Sequence, residues 1–165
     1  VVLRLDDFTD RATVARHWSA FTDRVMGGMS DARASVETIG GRTALRLTGR
    51  VSLARNGGFI QVARRFDGGR VDASPFRGVQ LAVCGAPGSY FVHLRTGDTR
   101  APWQYYGASL PVTPSWHDVL LPWHAFTPVS LRDPLDVRTL ERIGIVAGKA
   151  AFDADVAISR LELVP

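Results

Sequence analysis

Few residues in this 165-residue chain are spaced for catalysis. His17, His93, His117 and His124 lie far apart, and no two are at i, i+2 or i, i+4. A zinc site needs three convergent ligands, and no cysteine pair assists, because Cys84 is alone. Inside the apolar run Val79–Cys84 that thiol reads as a small packed hydrophobe rather than a nucleophile. Asp6-Asp7 and the Asp153, Asp155 pair could hold a hard cation such as calcium if the two ends of the chain met. The plainer expectation is solvated aspartates guarding strand edges, and no metal is assigned. The glutamates are Glu37, Glu141 and Glu162, none within an aromatic cleft motif, so no acid–base pair for glycoside hydrolysis emerges. There is no Gly-x-Ser-x-Gly elbow and no phosphate loop. The expectation is a protein that is not an enzyme and carries no cofactor.

Recognition chemistry is better represented. Trp18 to Ser30 contains Asp23-Arg24-Val25-Met26-Gly27-Gly28. A glycine pair among apolar residues marks positive φ or a close backbone approach. Asp23, Arg24 and Ser30 could line a polar recess there. The simpler expectation is a structural turn capped by Asp23, with Trp18 and Met26 in the core. Asn56-Gly57-Gly58-Phe59 reads as a hairpin turn entering a strand. Trp103-Gln104-Tyr105-Tyr106 follows the polar run 96–100. Trp103 and Tyr106 could stack on a sugar, with Gln104 and Arg95 reading hydroxyls. In an alternating strand, however, one or two of those rings must be core.

The elements that position these residues are mostly strands. Asp10 to Trp18 is the one plausible helix, with Asp10 as N-cap. ALRLTG, GFIQVARRF, GVQLAV, YFVHLR, WHDVLL, RIGIVA and DVAISRLELV alternate with period two between turn residues. They predict one all-β domain over residues 1–165, an antiparallel sandwich with one short N-terminal helix. The phase slip between Ile158 and Leu161 predicts a bulge in the last strand. In YFVHLR, Phe91, His93 and Arg95 share a face opposite Tyr90, Val92 and Leu94. The net charge is +4, and Lys149 is the only lysine among 20 basic residues. The arginines are scattered, so the charge reads as diffuse, with no nucleic-acid arm and no transmembrane segment. Arg24 and Arg95 stand out, beside the glycine turn and the aromatic run.

Several stretches together carry a resemblance. Trp18 through Ser30 and Asn56 through Phe59 resemble the two signature stretches of the complex I intermediate-associated protein family. Trp116, Val119, Leu121, Pro122, Phe126 and Pro128 are similar to a later family segment, and Pro134-Leu135-Asp136 with Ile143-Gly144 also fit. One departure is Gly85-Ala86-Pro87-Gly88 before Tyr90, where the family often has Gly-Asp-Gly. The resemblance implies a galactose-binding-like jelly-roll β-sandwich of a bacterial member. It also implies a non-enzymatic assembly factor or chaperone for NADH:ubiquinone oxidoreductase, holding a protein partner such as a respiratory-complex assembly intermediate. The alternative is a carbohydrate- or small-ligand-binding module. The N-terminal VVLRLDDF has no signal- or transit-peptide character, which gives a cytoplasmic expectation.

Overall fold

The computed structural model describes residues 1–165, with the side chain of Asn56 outside the described residues. After β1 (Leu3–Asp6), Asp10 accepts hydrogen bonds from the N–H groups of Ala12 and Thr13 and opens α1 (Arg11–His17). This is the expected N-cap, satisfying donors the first turn cannot pair internally. β2 (Trp18–Thr22) follows at once. Trp18 donates its Nε1–H to the buried Asp6 carboxylate at 2.9 Å, tying the first strand to the helix exit. The remaining strands are β3 (Arg33–Ile39), β4 (Arg42–Val51), β5 (Phe59–Arg65), β6 (Gly78–Gly85), β7 (Tyr90–Thr96) and β8 (Tyr105–Ser109). Then come β9 (His117–Pro122), β10 (Thr127–Val129), β11 (Leu140–Gly148) and β12 (Phe152–Val164).

All pairings are antiparallel. One sheet runs β3-β4-β12-β6-β9 with β1 added on β12. The other runs β10-β8-β7-β11-β5-β2. The expected β-sandwich with its single short helix is therefore present. Ile60, Val62, Val92, Leu94, Ile143 and Ile145 of the second sheet pack against Leu45, Leu47, Leu81, Ile158 and Leu161 of the first. This is the alternation of the sequence turned into one apolar layer. The register of β12 against β6 shifts between Ile158 and Arg160, the expected bulge. Cys84 packs with Ala44 and Ala157 on the other face of the first sheet. No helix is long and apolar enough to cross a membrane among the described residues.

Two expectations are corrected at this level. Asn56-Gly57 does not close a hairpin. β4 is paired on both sides, by β3 and β12, so no edge remains for β5. The chain instead makes a single 3-10 turn at Ala54–Asn56 and crosses to the other sheet. The two acidic pairs do not converge either. Asp6 lies opposite Leu161 and Asp155 opposite Thr48, placing them roughly 20 Å apart along β12.

Candidate functional site

The outer face of the second sheet forms a cleft of about 730 Å³, and its floor follows from strand register. One cross-strand row reads Ser19, Ala63, Gly144, His93 and Gly107 on β2, β5, β11, β7 and β8. Small residues at most of these positions leave a trough. The flanking side chains lie into it. A Cβ on Gly144 would collide with the Gln61 side chain, so glycine there gives that amide its place. Gly107 similarly makes room for Tyr105, whose ring stacks on His93 at 3.8 Å between centroids and 15° between planes. On one side of the trough the row is Phe21, Gln61, Val146 and Phe91. On the other, Arg65, Arg142 and Arg95 stand side by side on β5, β11 and β7.

Loops from opposite edges of the sheet wall the cleft. Val25, Met26 and Leu53 form one rim, and Pro102, Trp103 and Val129 the other. The first rim is held by Asp23, which is fully buried. Its carboxylate accepts bonds from Ser30 N and Oγ at 2.9 and 2.5 Å and from Gly58 N at 2.6 Å. Burial pushes this carboxyl up, and the bonds from Ser30, Gly58 and Phe59 more than reverse it, leaving it below its ordinary value. A Cβ on Gly28 or Gly57 would run into the same carboxylate, and Gly27 has φ +88° at the end of the Asp23–Met26 turn. The two glycine stretches are thus two sides of one latch. The opposite rim is held by Arg95, whose Nη1 donates to the carbonyls of Ala101 and Gln104 at 2.9 and 2.8 Å.

The sequence-derived candidates divide accordingly. Trp103 is 60% exposed and lines the cleft beside Arg95. Tyr106 does not join it. The ring is fully buried, and its hydroxyl donates to Asp133 O at 2.8 Å, so the expectation of a Tyr106 surface is corrected. Tyr106 pairs with Leu94, which sends Tyr105 outward in its place. Gln104 is committed to the backbone, accepting from Arg100 N and Ala101 N and donating to Ser130 O. Ser30 is buried, and Arg24 spends its donors on Ser30 O and the Asp31 carboxylate, so no open polar recess forms. Met26 is not core: it is 50% exposed at the rim. Gly57 and Gly58 line the cleft, and the Asn56 side chain lies outside the described residues.

The sequence reading missed Gln61, His93 with Tyr105, Arg65, Arg142 and Lys149. The strands of Gln61, Arg65, His93 and Arg142 are legible in the sequence with their outward phase, but which strands are neighbours is not, and neither the Tyr105 strand nor the turn at Lys149 is among the segments read there. Charge is also less diffuse than expected. Arg65, Arg95, Arg142 and Lys149 all line this cleft and no carboxylate does, among the described residues. Burial, then Arg95 and Arg65, pushes the Arg142 guanidinium down to about 10. Arg142 lies 5.1 Å from the Phe21 ring centroid and Lys149 Nζ 4.6 Å from that of Phe91. Burial, then Lys149 and Arg142, pushes His93 down to about 3, so it serves as a neutral plate.

Known proteins share this architecture. A family 11 carbohydrate-binding module from Clostridium thermocellum, in complex with a β-1,3-1,4-mixed-linked tetrasaccharide, superposes with TM-score 0.76 at 11% identity. The match covers 99% of this chain and 95% of that one. A family 30 carbohydrate-binding module matches with TM-score 0.67 at 13% identity, over 99% and 87% of the two chains. The agarase AgWH50C matches with TM-score 0.67 at 12% identity, over 99% of this chain and 25% of its own. At such identities the likeness is one of fold. No curated protein matches the sequence significantly. The family model for complex I intermediate-associated protein 30 does match, over residues 7–158, and the chain belongs to that CIA30 family.

Proposed function

We propose that the chain is a non-enzymatic binding module whose cleft takes an oligosaccharide. The observation that carries this is the arrangement on the outer sheet face. An exposed Trp103 and the stacked His93–Tyr105 pair present flat faces across a trough floored by Gly144 and Gly107. Gln61 and the arginines stand beside them. A cleft of about 730 Å³ with flat ring faces set among polar side chains suits a ligand of a few sugar rings. The carbohydrate-binding modules of similar fold support the same reading.

Titration calorimetry against a glycan panel tests it. Binding is expected, and Trp103→Ala or Tyr105→Ala should abolish it while leaving the fold intact. A silent panel would sink the reading.

A second reading has its own support. Family membership favours a protein partner of the assembly-factor kind. Val25, Met26 and Leu53 are exposed apolar residues along one rim, as a docking surface requires. Pull-down of respiratory-complex subunits, lost in Met26→Ser with Leu53→Ser, would favour that reading.

A further inference from the structure

We infer that the ligand of this cleft is an acidic oligosaccharide, whose carboxylate or sulfate groups sit against the row Arg65–Arg142–Arg95 while its hydroxyls reach Gln61. The inference rests on the oligosaccharide reading and narrows it to a charge class.

The row itself is the first reason. Arg142 is the direct cross-strand partner of both Arg65 and Arg95. Like charges directly opposite on one sheet face repel. Outside the cleft, among the described residues, seven of the sixteen arginines hold a carboxylate partner. Arg46 is bonded by Asp155 and Glu37, Arg24 by Asp31, Arg70 by Glu141 and Arg160 by Asp118. Among the described residues no ion pair forms to Arg65, Arg142, Arg95 or Lys149. The carboxylate that acts on Arg95 is Glu141, and it is already bonded by Arg70. A partly buried, self-repelling cationic row costs stability unless something anionic completes it. Guanidinium groups match planar carboxylates and sulfates through paired N–H donors.

Gln61 is the second, independent reason. It is 95% buried by its 5% exposure, it lines the cleft, and its Oε1 has no hydrogen-bond partner. Buried amide oxygens are almost always bonded. The amide lies across Gly144 on the floor of the trough, and the Arg142 guanidinium reaches over to the Gln61 side, 5.1 Å from the Phe21 ring centroid. A ligand in the trough therefore meets an amide acceptor on the floor with cations beside it, and answers them with a hydroxyl donor and an anion. At the β8 end of the cleft it must offer a ring face for Tyr105 and Trp103. A uronate or sulfated sugar has all three.

The test uses the whole chain in titration calorimetry at low salt. The probes are tetragalacturonate, a sulfated galactan tetrasaccharide, cellotetraose, a mixed-linked β-glucan tetrasaccharide and poly-glutamate. The first two separate carboxylate from sulfate. At least one of them should bind, about tenfold or more tighter than either neutral glucan, and weaken steeply with added salt. Arg142→Gln should lower that affinity about tenfold or more. The same variant should melt no lower than the native chain, because it relieves a repulsion, and this separates lost binding from lost folding. Neutral glucans binding equally well, with Arg142→Gln unaffected, would overturn the acidic inference and leave the oligosaccharide reading standing. Silence from every glycan, with or without poly-glutamate binding, would overturn both.

Discussion

The Asp23 carboxylate accepts the backbone N–H of Gly58 at 2.6 Å, joining two turns 35 residues apart in the chain. The same oxygen holds the Ser30 hydroxyl, and Ser30 Oγ in turn accepts from Ser52 N at 2.9 Å. One buried anion therefore organises the rim that carries Met26 and Leu53. Asp23→Asn offers a single acceptor oxygen and turns an NH₂ toward groups that are themselves donors. It should cost about 3 kcal/mol, since buried donors lose a charged acceptor. Urea unfolding measures this. A loss below about 1 kcal/mol would mean that the latch is not structural.

Gly144 and Gln61 predict a separation of binding from folding. Gly144→Ala puts a methyl where the Gln61 side chain lies, and that flexible chain must swing into the trough. Stability should fall by about 1–2 kcal/mol, an overpacking cost. Glycan affinity should fall much further, because the trough is filled. Unchanged affinity by calorimetry would show that the ligand does not cross this row.

The pH dependence of stability follows from His93. Its ordinary value is 6.5, and burial followed by Lys149 and Arg142 takes the folded value to about 3. Between those limits the unfolded chain binds more protons, so stability falls as pH drops below 6.5. At pH 5 the loss assigned to this group is about 2 kcal/mol. His93→Phe keeps a ring against Tyr105 and removes the titration. Its stability should lose about 2 kcal/mol less between pH 7 and pH 5. Superimposable pH profiles for the two proteins would refute the assignment.

Trp103 and Tyr106 should behave oppositely. Trp103→Ala, at an exposed position, should change stability by no more than about 0.5 kcal/mol and remove glycan binding. Tyr106→Phe deletes the hydroxyl that donates to Asp133 O and should cost about 1 kcal/mol with binding unchanged. Thermal melts alongside titrations distinguish the pair.

Much of this molecule is legible in local sequence. The Asp10 cap, the period-two strands and the slip after Ile158 each reflect constraints within a few residues of chain. The glycine stretches were also visible, although their shared target was not. Gly28 and Gly57 both make room for Asp23, and nothing near Gly57 in sequence names that residue.

Strand alternation alone requires that one of Tyr105 and Tyr106 face the core, and that Phe91, His93 and Arg95 share a face. Which tyrosine it is depends on the folded sheet, because a shift of one residue inverts a strand and the pairing of Tyr106 with Leu94 sets the phase. The fold likewise places β11 between β7 and β5, out of chain order. That order is chosen by burying the inner faces of all these strands together, a global condition no local pattern encodes. The arginine row on the outer face is its consequence, and it turns a charge that looked diffuse into a site.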